Sequence, residues 1–129
     1  PGTSFEIFIE VVDADGGTRC ASTTVAALAL ADAGVPMRSL VTSCAVGKID
    51  GQLVTDLSGI EDKAGEADLP TAMTWFNDEL SLLQFDGKLT QAELDESLDM
   101  AKDALEKIYQ LQLDALKQKY IKIQEQVDQ

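Results

Sequence analysis

Two glycines, a hydroxyl and an arginine stand together in Asp15-Gly16-Gly17-Thr18-Arg19-Cys20-Ala21-Ser22, just ahead of an alanine-rich stretch. Residues of those types in that order make an anion cradle. Glycines such as Gly17 let backbone N–H groups turn toward a ligand, and a helix start adds unsatisfied donors and a positive partial charge. Thr18 and Arg19 add a hydroxyl bond and a bidentate guanidinium contact. Acids follow downstream: Asp56, then Asp62 six residues on, with Glu61 and Asp68 nearby. Carboxylates beside a bound phosphate suit proton donation or magnesium ligation in phosphoryl chemistry. Each signal also has a plainer account. Glycine turns join strands to helices for geometric reasons alone, and acids in a polar loop are ordinarily solvated surface. The loop carries neither the Walker pattern nor GxGxxG, so a nucleoside triphosphatase and a dinucleotide enzyme are both disfavoured.

The elements that must hold these residues are legible from periodicity. Residues 4–12 alternate Phe5, Ile7, Ile9 and Val11 against Glu6, Phe8, Glu10 and Val12, which predicts a strand. Residues 22–33 open with hydroxyls, fill with Ala and Leu and close on Gly34 and Pro36, which predicts a short helix lying close on a sheet. Further strands are expected at 40–47 and 52–57, joined by an Asp50-Gly51 hairpin turn, and at 69–76 and 79–85, joined by Asn77-Asp78. Residues 58–68 read as a polar loop or the start of an extended segment, and Asp86-Gly87 as a stop. From Thr90, which forms a capping box with Glu93, Leu94, Leu98, Ala101, Leu105, Tyr109, Leu113, Leu116, Tyr120, Ile123 and Val127 recur at helical steps. The stripe shifts near its middle, so one long helix is expected to do two jobs. Its first part packs on the sheet; residues 113–129 form an extension that frays, projects or pairs with another helix. The basic stretch Lys117-Gln118-Lys119-Tyr120-Ile121-Lys122 reads as a solvated helix face. The class is α+β, with helices covering a mixed sheet.

Composition narrows the chemistry. The 129 residues, 45% apolar, suit one domain with a real core, and no histidine is present. That excludes histidine acid–base catalysis and the common zinc sets, and Cys20 and Cys44, without CxxC spacing, read as buried reduced thiols. The net charge of −13 argues against a free-standing nucleic-acid binder. Residues 1–64 carry 4 basic and 9 acidic side chains, and residues 65–129 carry 6 and 14, so the second half is the more solvated. No apolar run spans a membrane and no signal-peptide pattern is visible, so a cytoplasmic protein without a membrane partner is expected. Pro1 in place of an initiating Met suggests a sequence that starts part-way along a longer chain.

The run Val11–Pro36 through Asp15-Gly16-Gly17-Thr18-Arg19-Cys20-Ala21 and Leu28-Ala29-Leu30-Ala31-Asp32-Ala33-Gly34-Val35-Pro36-Met37-Arg38 resembles the RNase PH family. Gly47-Lys48-Ile49-Asp50-Gly51, Asp56-Leu57, Glu61-Asp62 and Gly65-Glu66-Ala67-Asp68-Leu69-Pro70 resemble in particular its catalytic archaeal exosome branch. The resemblance spans the chain to within a dozen or so residues of its end and implies half of an RNase PH-like (ribosomal protein S5 domain 2-like) fold, the C-terminal half, over residues 1–112. It implies phosphorolysis, in which inorganic phosphate as co-substrate attacks the 3′-terminal phosphodiester of RNA and releases a nucleoside diphosphate, reversibly. The family's phosphate-binding pair falls on Thr18 and Arg19, with Gly17 beside them and Ser22 a further donor. Its catalytic acids fall on Asp56 and Asp62, with Asp68 a third acid, and magnesium on any of the three is compatible with this set. The implied partners are RNA, an N-terminal half that grips it, a homologous subunit in a hexameric ring and RNA-binding cap subunits. The chain alone is expected to be inactive. The competing expectation is a non-catalytic ring or interaction subunit of an exosome-like assembly.

Overall fold

A computed structural model describes residues 2–127, with side chains through Gln124. Pro1, residues 128–129 of the expected terminal extension and the Val127 side chain of the helical stripe lie outside the described residues. The order is α1 (Thr18–Asp32), β1 (Val41–Ile49), β2 (Gln52–Thr55), α2 (Gly59–Ala64), β3 (Ala67–Thr74), β4 (Glu79–Leu83), β5 (Asp86–Gly87) and α3 (Gln91–Val127).

The sheet runs β2-β1-β3-β4, with β5 on β3. Where a mixed sheet was expected, every ladder among the described residues is antiparallel. Hairpins impose this. Asp50 (φ 50°) and Gly51 (φ 75°) make the primed turn that matches strand twist between β1 and β2, and a turn at Asp78 (φ 53°) reverses β3 into β4. Asp86-Gly87 does not simply end a strand; it pairs with Ala67 and Asp68 as β5. Gly87 at φ 103° allows that approach, since a Cβ there would lie 2.6 Å from the Ala67 Cα.

α3 packs on one face of the sheet. Cys44, Val46 and Met73 meet Ala101 and Leu105, and Trp75 stacks on Tyr109 with ring centroids 4.9 Å apart. The stripe expected for α3 is only partly the buried one: Ser97, Ala101, Leu105 and Gln112 are buried, while Tyr120 and Ile123 are exposed. Gln112 is inside because it is bonded. Its Nε2 donates to the Thr24 carbonyl at 2.9 Å and the Val41 carbonyl at 3.2 Å.

That pair reveals how α1 is held. β2 pairs with β1 only from Val46 to Ile49, leaving the earlier edge of β1 without a ladder on that side. α1 lies along it: the Ser43 N–H donates to Thr24 Oγ1 at 3.0 Å, and the Thr24 hydroxyl donates back to the Ser43 carbonyl at 3.4 Å. Beyond, the Asp56 N–H donates to the Ala45 carbonyl at 2.9 Å.

Three local expectations are corrected. Residues 4–12 form no strand, because alternation prepares two faces but a ladder needs an edge, and this segment pairs with none among the described residues; Phe8 and Val12 are 89% and 94% exposed. α1 starts at Thr18 instead of Ser22, because Gly17, left-handed at φ 60°, performs the entry that hydroxyl residues were expected to perform. The polar loop contains α2, started by a capping box: the Glu61 N–H donates to Ser58 Oγ and the Ser58 N–H to the Glu61 carboxylate.

Candidate functional site: an open helix start facing two acids

The cradle is built by backbone conformation. Gly16 and Gly17 have φ of 83° and 60°, and a Cβ on Gly16 would lie 2.8 Å from Ser58 C and 2.9 Å from Gly59 N. This close approach ties the loop before α1 to the start of α2, and Asp15 Oδ1 secures it by accepting the Gly59 N–H at 3.0 Å. α1 then begins with no side-chain cap and no acid in its first turn. The N–H groups of Thr18, Arg19 and Cys20 precede the first intrahelical bond, which the Ala21 N–H donates to the Gly17 carbonyl at 3.1 Å.

Those groups open on a cleft of about 140 Å³ lined by Gly17, Thr18, Arg19, Asp62 and Asp68, with Leu57 and Pro70 among its apolar walls. Leu57 is buried, and Gly47 makes room for it: a Cβ there would lie 2.9 Å from Leu57 Cδ2. Arg19 extends toward β4, where its Nη1 donates to Gln84 Oε1, and Gln84 is itself held by its N–H to the Pro70 carbonyl at 3.0 Å. The guanidinium is thus oriented from behind, with further donors left for an anion.

Asp68 is the acid this environment perturbs. Burial raises its pKa above the usual carboxylate value, the charge of Asp62 raises it further, and Arg19 opposes both. Its Oδ1 is buried without a partner. Burial likewise raises Cys20 and takes Cys44 to about 12, so both thiols are inert structural groups at neutral pH.

The cleft brings together Gly17, Thr18, Arg19, Asp62 and Asp68 of the sequence-predicted residues. It does not include Asp56 or Ser22. Asp56, left-handed at φ 65°, follows β2 and lines the adjoining groove between α1 and α3, its Oδ1 3.6 Å from where a Cβ on Gly17 would stand, at the same helix start. Ser22 lies a full turn inside α1 and lines a groove with residues 9–16, since the helix starts four residues before it. A three-acid metal site of Asp56, Asp62 and Asp68 is therefore not assembled, and among the described residues no three His, Cys, Asp or Glu side chains are placed to hold a metal. Sequence reasoning missed Gln84, which carries no motif, and the role of Asp15, visible only once α2 was known to start at Gly59.

The fold is that of a known family. The chain belongs to the RNase PH family: the profile described as "3' exoribonuclease family, domain 2" matches residues 39–104. Among characterised relatives, the exosome complex component Rrp41 of Pyrococcus horikoshii is 50% identical over 129 residues, all of this chain and 52% of that protein. The Rrp41 of Thermoplasma acidophilum is 48% identical over 97% of this chain and 50% of its own length. The chain spans about half the length of these curated relatives. A crystal structure of rice (Oryza sativa) Rrp46 shares the fold, with a TM-score of 0.75 at 17% identity, covering 82% of this chain and 51% of that one.

Proposed function

We propose that this chain is the phosphate- and acid-bearing half of an RNase PH-type exosome subunit that shortens RNA from its 3′ end by phosphorolysis. The observation that carries this is the convergence, in one small cleft, of an uncapped helix start, an oriented arginine and two carboxylates. Phosphate held by the α1 N–H groups, the Thr18 hydroxyl and Arg19 attacks the terminal phosphodiester phosphorus. The P–O3′ bond breaks, a nucleoside diphosphate leaves, and the departing 3′ oxygen takes a proton. Asp62 and Asp68 are the acids positioned to deliver it, Asp68 with its pKa raised by burial in the direction a proton donor needs. The same two carboxylates with phosphate oxygens and water form the kind of donor set magnesium accepts, and the ion would supply charge neutralisation there. RNA, the N-terminal half of the relatives, a homologous ring subunit and cap subunits complete this assignment.

The test uses the chain joined to such an N-terminal half and assembled with its ring partner, assayed for nucleoside diphosphate release. Release is expected to require added phosphate, to be lost in Asp62→Asn and to need much more phosphate in Arg19→Gln. Release without phosphate, or full activity in Asp62→Asn, overturns the reading.

A further inference from the structure

Arg19 has a neutral partner in an acidic place. Asp62 and Asp68 share its cleft, yet none of the ion pairs among the described residues includes Arg19. Its Nη1 donates instead to the side-chain amide oxygen of Gln84. An arginine bonded to a carboxylate has much of its charge cancelled, and a phosphate must compete with that carboxylate for the same donors. Bonded to an amide, the guanidinium keeps its charge and the rest of its N–H donors.

The amide is firmly mounted. Leu83 ends β4 opposite Thr71, and Asp86 begins β5 opposite Asp68, so Gln84 and Phe85 bridge two ladders on the same strand. The Gln84 N–H fills the gap between them by donating to the carbonyl of Pro70, itself a wall of the cleft, at 3.0 Å. Arg19 starts from the first turn of α1 and ends on this mount, so a long side chain is fixed at both ends and has less rotamer freedom left for a ligand to remove. We infer that Gln84 is a positioning residue for phosphate: it holds the Arg19 guanidinium in the wall of the cleft without neutralising it, and its being an amide and not an acid sets how tightly inorganic phosphate binds. This rests on the phosphorolytic reading of the cleft.

The chain joined to an N-terminal half and assembled with its ring partner is assayed for nucleoside diphosphate release while phosphate and RNA are varied separately. Gln84→Met keeps the length and loses the amide acceptor. KM for phosphate is expected to rise about tenfold, with kcat at saturating phosphate and KM for RNA within about twofold of wild type, the pattern of lost phosphate binding. Gln84→Glu offers Arg19 a stronger acceptor of the same length, so a purely structural Gln84 would be replaced without loss. Here KM for phosphate is expected to rise at least about tenfold all the same, because the guanidinium is now neutralised, with thermal unfolding unchanged by circular dichroism. Once Arg19→Gln is in place, Gln84→Met is expected to add no further rise, since the two act through one contact. An unchanged phosphate KM in either Gln84 variant, or a rise that persists in full on top of Arg19→Gln, overturns the inference and leaves the phosphorolytic reading standing. Wild-type release that does not depend on phosphate overturns both.

Discussion

Three helices start among the described residues, and they start differently. α2 and α3 are closed by reciprocal boxes, Ser58 with Glu61 and Thr90 with Glu93, in which a carboxylate satisfies the first backbone donors. α1 is entered through a left-handed glycine, with no side-chain cap and no acidic residue in its own first turn. A capped start is a finished structural element; an open one keeps its donors and its partial positive charge for something else. That the open start is the one facing Arg19 and the two acids is what separates a binding helix from two supporting ones.

Several substitutions would break or sharpen this contrast. Gly16→Ala carries the largest effect, since its Cβ meets backbone on α2 at a positive φ; a loss of about 3 kcal/mol is expected in urea unfolding. Gly17→Asp gives α1 the acid its sister helices have, and phosphate affinity of the assembled subunit, by calorimetric titration, is expected to fall at least about tenfold. Thr90→Ala opens α3 at a cost of about 1 kcal/mol, with phosphate affinity unchanged. If it weakens phosphate binding as much as Gly17→Asp, the division between binding and supporting helices fails.

The smallest effects are in pH dependence. Glu93 sits at about 2 against an ordinary 4.5, because Lys48 bonds it at 2.8 Å and the Thr90 N–H and hydroxyl add to that. Its stabilisation is present above the ordinary value and is lost as pH falls from there toward 2; Glu93→Gln should flatten that limb of an acid-unfolding curve. Asp68 slopes the other way. Its folded pKa is raised, so its contribution is present below the ordinary 3.8 and is lost as pH rises through that value and beyond, and Asp68→Asn should remove this loss.

Strands β1 to β4 and α3 were legible because their signals are local: the Asp50-Gly51 turn, the Thr90–Glu93 box and the apolar periods each sit within a few residues. The site was legible in its parts and not in its assembly. Thr18, Arg19, Asp62 and Asp68 carry their chemistry in their identities, but that Asp62 enters the cleft depends on α2, whose single helical turn and a half is too short to show a period. The Ser22-Thr23-Thr24 run misled for the same reason. Thr24 is not a helix-capping hydroxyl; it belongs to a long-range contact with Ser43 that no window around residue 24 contains.

That contact also governs how the protein behaves in company. An unladdered strand edge is a template on which another chain can add, and hydroxyls or amides from a helix are poor competitors unless they fill its bonding positions in sequence. Here Gln112, Thr24 and the Asp56 N–H take Val41, Ser43 and Ala45 in turn, so α1 and α3 act as a surrogate strand. Edge extension is shut off along the start of β1, leaving the outer edge of β2 and β4, with Leu80 and Leu83 half-exposed, as the margins where it must be prevented by other means.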